Sequence, residues 1–250
     1  MKKLLELKNI SLTYQTLTDE INAVENLNFY LNEGDFLSII GPSGCGKTTI
    51  LSMIAGLLKA TSGEILIDGK LVDKPTENMG YMLQRDHLFS WRTIEKNVLL
   101  PLEIKKCVTE EKRQYALSIL NKYGLGKFVK NYPNSLSGGM KQRVALIRTL
   151  VSDPKLLLLD EPFSALDSQT RLDVSDDVYK IIKAEGKTAI LVTHDISEAI
   201  AMSDVIIVLT DRPAKVKKII IPNIEGSSPL RRRENSKFSS VFENVWKELH

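Results

Sequence analysis

A chain of 250 residues with 43% hydrophobic content is long enough to bury a full core, as one large domain or a domain with a sub-domain. Its 34 basic and 31 acidic residues leave a net charge of +3, too balanced for the basic bias of a nucleic-acid-binding surface. Two cysteines make no disulfide framework, and no apolar run approaches the roughly 20 residues of a membrane span, so a soluble protein of a reducing cytosol is expected, with any membrane role through a partner.

The N-terminal "MKKLLELKNISLTY" is basic, but Glu6 and Asn9 interrupt its apolar run too early for a signal peptide. "LLELKNISLTY" and "AVENLNFYL" read as strands broken by polar residues, whereas the continuous "FLSII" is the pattern of a buried strand. The helical "TTILSMIAGL" follows, then "GEILIDGK", in which Asp68-Gly69 is a hairpin turn signal. From about Arg85 to Val151 the pattern turns helical, with "TIEKNVLLPLEI", "TEEKRQYALSILNKYGL" and "GMKQRVALIRTLV" all apolar at helical spacing. Strands then alternate with helices: "KLLLLD", "RLDVSDDVYKIIKAEG", "KTAILVTH", "ISEAIAMS", "DVIIVL". Such alternation predicts an α/β core, a parallel sheet covered on both faces, interrupted by a helical insertion. Residues 226–250 form a tail. Its linker-like "GSSPLRRRENS" contains Arg231 to Arg233, read as a solvated charge run. Its "SVFENVWKELH" places Val241, Phe242, Val245, Trp246 and Leu249 on one helical face, to dock on its own domain or, alternatively, on a partner.

Three strings carry chemistry. Gly41, Pro42, Ser43, Gly44, Cys45, Gly46, Lys47 and Thr48 match G-x-x-x-x-G-K-[ST] between a buried strand and a helix, with Thr49 next. The glycines let successive N–H groups wrap a phosphate, Lys47 adds charge to the outer phosphates, and Thr48 offers a hydroxyl to Mg²⁺. "LLLLDEP" ends a buried strand in Asp160 and Glu161, at the edge where α/β sheets hold ligands. Asp160 suits Mg²⁺, acting through water, and Glu161 is placed to polarise an attacking water as general base. "LSGGMKQR", Leu136 to Arg143, is a second anion cradle: Ser137 to cap a helix, and Gly138 and Gly139 to let backbone approach. Weaker candidates are His194, able to hydrogen-bond a terminal phosphate, and Gln84, whose amide oxygen suits the metal or the water. Tyr14 offers an aromatic face for adenine, with a core position as the competing reading. The nearest string to a guanine-reading N-K-x-D, Asn121 to Gly124, lacks the acid.

In this order the strings resemble those of an ABC-transporter ATPase subunit, over nearly the whole chain: aromatic loop at Tyr14, Walker A at Gly41 to Thr49, Q-loop Gln84, signature Leu136 to Met140, Walker B Leu156 to Asp160 with Glu161, "SALD" at Ser164 to Asp167, and switch His194. The resemblance implies a P-loop NTPase core with an N-terminal antiparallel β subdomain. The core and β subdomain would take residues 1–84 and 152–225, and the helical subdomain 85–151. It implies ATP and Mg²⁺ as ligands, and a head-to-tail homodimer in which Ser137, Gly138 and Gly139 of one subunit contact the γ-phosphate held by the other. Asp167 would lie at that interface. It also implies integral-membrane permease subunits, an external substrate-binding protein, no nucleic acid, and a peripheral place on the cytoplasmic face of the membrane. Three stretches, "LSGGMKQR" with Met140, "QRDHLFSWRTIEKNV" and "LTDRPAKV", are similar to importers for nitrate, sulfonate and taurine. The signature helix departs from the family's usual ending at Ile147 and Thr149. "LFSW", Leu88 to Trp91, would receive a permease helix, or else fill the sub-domain core. Cys45, near a helix N-terminus that favours thiolate, is read first as a small residue that simply fits the loop, with a block of ATP binding on modification as the alternative. A soluble ABC ATPase acting on nucleic acid or in translation, and an exporter subunit, are the alternatives.

Overall fold

The computed structural model describes residues 2–15 and 19–249. Two sheets organise it. The first is antiparallel and made of β1 (Lys3–Gln15), β2 (Glu20–Asn32), β4 (Ser62–Ile67) and β5 (Lys70–Leu71), in the order β2-β1-β4-β5. Asp68 and Gly69, both at positive φ, make the β4–β5 turn. The second contains β3 (Phe36–Ile40), β6 (Met79–Met82), β7 (Leu156–Asp160), β8 (Thr188–Val192), β9 (Val205–Leu209) and β10 (Val216–Ile220), in the order β10-β9-β3-β8-β7-β6. It is parallel from β9 to β6, and β10 closes one edge antiparallel.

Every residue of β3, β7 and β8 is buried. Successive residues point to opposite faces, and both faces are covered, which is why these strands read as unbroken apolar runs. Leu37, Ile39, Leu156, Leu158 and Ile190 face the antiparallel sheet and α1 (Lys47–Ile54). Phe36, Leu157, Leu159, Ala189 and Leu191 face α4 (Gly138–Leu150) and α5 (Ser168–Ala184). Between β6 and β7, α2 (Ile94–Ile104), α3 (Glu110–Lys122) and the outer side of α4 surround a separate apolar cluster with Val98, Leu120 and Val144 at its centre. This is the α/β core with antiparallel β and helical additions that the sequence predicts.

Within the helical insertion the fully buried Asn97 replaces apolar packing with hydrogen bonds. Its amide nitrogen donates to the carbonyls of Phe89, Arg92 and Thr93, and its oxygen accepts from the Phe89 N–H at 2.7 Å. The loop bearing Trp91 is thereby pinned to α2. Trp91 itself is 72% exposed, so it does not fill the sub-domain core.

The tail folds as α7 (Pro229–Arg233) and α8 (Phe238–Leu249) and docks on its own domain, with Val245 buried against Ile196 and Ile200 of α6 (Ile196–Met202). One expectation fails here. Of the arginines at 231 to 233 only Arg231 is solvated; Arg232 donates to the carbonyls of Ala201 and Ser203 at 3.3 Å, and Arg233 is half-buried. Arginine follows the α6 carbonyls inward because a helix C-terminus leaves acceptors that a guanidinium satisfies.

Candidate functional site

The site begins where β3 ends. The chain turns through residues 41–46 into α1, and Gly46 stands at the helix N-cap with φ 123°, a conformation closed to residues with a side chain. Lys47 is buried and its ammonium donates to the carbonyls of Gly41 at 2.9 Å and Pro42 at 2.8 Å, which holds the charge at the mouth of the loop. Thr48, one residue on, donates its hydroxyl to Oδ1 of Asp160 at 3.3 Å, while Tyr81 donates to Oδ2 at 3.3 Å. Burial pushes the Asp160 carboxyl up, against those two hydrogen bonds, and pushes Tyr81 up to about 12.

Glu161 lies directly past β7 in a left-handed conformation, φ 45°, its N–H donated to Val192 at 2.9 Å. A non-glycine residue in that region costs about 1–3 kcal/mol and persists only where surroundings hold it. The bend brings its carboxylate to 3.3 Å from Nδ1 of His194, two residues past the end of β8. Tyr14 is 40% exposed, its hydroxyl 3.3 Å from that of Thr49, which removes the core reading of that ring. A cleft of about 560 Å³ is lined by Tyr14, Ser43, Lys47, Thr48 and Glu161 among others. Arg212 completes it, donating to the Gly44 carbonyl at 2.6 Å; sequence reasoning saw only the string "LTDRPAKV" and not this side chain.

Two expectations meet a different arrangement. Gln84, two residues beyond the end of β6, donates its amide nitrogen to the Ser164 hydroxyl at 3.2 Å rather than turning its oxygen to the Thr48–Asp160 pair. Cys45 is buried, and desolvation raises its thiol above the ordinary value, outweighing the nearby Lys47; the expected thiolate is disfavoured.

The second cradle is separate. Ser137 caps α4, its hydroxyl accepting from the Met140 N–H at 3.3 Å, with Gly138 and Gly139 in the first turn. None of these three lines the cleft around Lys47. Asp167 caps α5 by accepting from Thr170 at 3.0 Å, and that bond holds its carboxyl below the usual range. Among the described residues no three His, Cys, Asp or Glu gather as a metal cage. Mg²⁺ needs only one or two carboxylates beside phosphate oxygens and water, and the Thr48 hydroxyl with Asp160 is such a donor set.

Residues 24–164 match the family described as "ABC transporter". The chain is 47% identical over 248 residues to the uncharacterized ABC transporter ATP-binding protein YtlC of Bacillus subtilis, covering 98% of this chain and 95% of that one. It is 41% identical over 244 residues to the aliphatic sulfonates import ATP-binding protein SsuB of Bacillus cereus, covering 97% and 94%. Among solved structures it resembles the dimeric, post-hydrolysis state of the ATP-binding cassette MJ0796 bound to ADP and Pi, at TM-score 0.74 and 34% identity, covering 88% of this chain and 99% of that one.

Proposed function

The chain belongs to the ABC transporter family, as its ATP-hydrolysing subunit coupled to transport, and on that basis we propose that it energises import of a small sulfonate- or taurine-like molecule. The observation that carries the catalytic half is the cleft lined by Lys47, Thr48 and Glu161, with Asp160 bonded to Thr48 and His194 beside Glu161. Lys47 and the N–H groups of residues 43–49 bind the phosphates, and Tyr14 takes the adenine. Thr48 and Asp160, with Gln84 turning in from Ser164, would hold Mg²⁺, which supplies charge neutralisation on the phosphate oxygens. Glu161 accepts the proton of the attacking water, and His194, 3.3 Å from Glu161, orients it.

The separate signature supports a head-to-tail dimer, as does the dimeric state of MJ0796. Each Ser137–Gly139 cradle closes over the γ-phosphate bound by the other copy, so that binding shuts the pair and hydrolysis opens it. Asp167 sits at that contact. Permease subunits dock at the pinned Leu88–Trp91 loop, and an external binding protein delivers the substrate. No helix among the described residues is long and apolar enough to cross a membrane, so membrane attachment runs through the permease at the cytoplasmic face.

Glu161→Gln tests this reading. It keeps the shape and removes the base, so turnover should fall by about 10²-fold or more while ATP accumulates a locked dimer, read by size-exclusion chromatography. Turnover at the wild-type rate would remove Glu161 from the role of base.

A further inference from the structure

His194 presents a difficulty of its own: its side chain is 60% exposed, so packing does not fix where the imidazole points. The residues on either side of it hold the backbone that carries it. The Thr193 hydroxyl donates to Oε2 of Glu198 at 2.7 Å and accepts from the Asp195 N–H at 3.0 Å. The Asp195 carboxylate in turn accepts from the Glu198 N–H at 3.0 Å. Thr193, Asp195 and Glu198 therefore form a closed ring of hydrogen bonds with His194 as the only residue of the loop outside it. The ring is anchored by Glu198, a carboxylate only 3% exposed on the first turn of α6.

A buried carboxylate is costly unless paired, and this one has one cation in reach. Arg171 of α5 approaches it from the side of Asp167. Its Nη2 donates to the Leu166 carbonyl at 2.9 Å, while Nη1 stands 3.8 Å from Asp195 and Nε 3.9 Å from Glu198. Nε is buried and makes no hydrogen bond, so the fork is about an ångström short of closing on the acids. Arg233 of α7 lies farther off, its charge favoured by the field of the same two carboxylates.

We propose that Glu198 is a positioning residue for His194, and that Arg171 ties that position to the loop carrying Asp167. When the Leu166–Asp167 loop shifts, the guanidinium that grips Leu166 moves with it. A displacement of an ångström brings its free donors onto Glu198 and Asp195, tightening the ring around His194. The proposal rests on the hydrolytic role given above to His194.

The test uses the full chain and Glu198→Gln, which retains an acceptor for Thr193 and removes the charge Arg171 faces. The chain has three histidines, so ring resonances of labelled histidine report His194 directly. In Glu198→Gln the His194 resonance should move and that of His87 should not. Turnover should fall about tenfold with KM for ATP held within about twofold, because geometry and not binding is lost. In a His194→Ala background, followed by single turnover, Glu198→Gln should cost nothing further. Arg171→Lys should retain more turnover than Arg171→Ala. An unmoved His194 resonance, or the same fractional loss in the His194→Ala background, overturns the positioning role. Full turnover by His194→Ala alone sinks the role of His194, and this inference with it.

Discussion

Removing Trp91 separates a docking surface from a structural one. The ring lies tilted at 44° against Phe89 with centroids 4.8 Å apart, yet 72% of the residue is open to solvent. Of the roughly 200 Å² that a tryptophan brings to a contact, about 140 Å² is therefore free to be covered by a partner. At about 25 cal/mol per Å² that surface is worth up to about 3.5 kcal/mol in a permease complex, a weakening of about 300-fold in Kd on truncation. Within the isolated chain, Trp91→Ala removes little more than its contact with Phe89 and should cost less than about 1 kcal/mol, because Asn97 holds the loop through backbone groups that the substitution leaves in place. Titrating the variant into permease-containing membranes should thus show lost affinity and lost ATPase stimulation, beside unchanged ATP affinity and a melting temperature close to wild type. Loss of ATP affinity together with stimulation would refute the assignment, since a docking residue has no route to the nucleotide in the isolated chain.

Mixing Lys47→Ala chains with Ser137→Arg chains, each inactive alone, should restore about a quarter of wild-type turnover, because half of random dimers then hold one whole site; mixed dimers seen by native mass spectrometry without any recovery would argue against a shared site. Cys45 should alkylate more slowly than free cysteine at pH 7 and accelerate as pH rises past 9, the order expected of a thiol whose pKa burial has raised, with labelling followed by intact mass. Gly139→Ala should destabilise by about 1–3 kcal/mol in urea, since its Cβ would lie 2.5 Å from a methyl of Val174, and Val174→Ala in the same chain should return part of that loss.

The parts legible in the sequence are those decided by neighbours along the chain. "FLSII" and "LLLLD" could only be strands covered on both faces, and the string from Gly41 to Thr48 dictates its own turn because Gly46 must take a φ closed to other residues. What stayed illegible was decided across the fold. Whether Tyr14 and Trp91 faced solvent depended on neighbours distant in sequence. The charge run at Arg231 to Arg233 looked solvated until α6 supplied carbonyls and carboxylates to two of the three. The thiolate reading of Cys45 fails for a related reason: a helix start lowers a thiol, but the apolar cluster that Cys45 shares with Val24, Ile50 and Leu209 buries it, and desolvation wins. Arg212 had no local signal at all, being carried into the cleft by the end of β9.

The glycines of the signature show why its surroundings matter to its chemistry. Sequence reasoning gave Gly138 and Gly139 to phosphate approach, but the fold gives both a second duty. A Cβ on Gly138 would meet Leu166 at 3.0 Å, and one on Gly139 would meet Val174 at 2.5 Å and Thr170 at 3.3 Å. The start of α4 is thus pressed against the loop and helix that carry Asp167, and Thr170 is the residue whose N–H Asp167 caps. Leu166, touched by the signature on one side, offers its carbonyl to Arg171 on the other. Close-packed contacts of this kind move together or not at all. In the head-to-tail dimer proposed above, a force applied to the signature by the partner's nucleotide would reach Leu166 by contact, Arg171 by hydrogen bond, and the ring beside His194 by charge. The two cradles of one chain, which never meet each other, are joined mechanically through the residues between them.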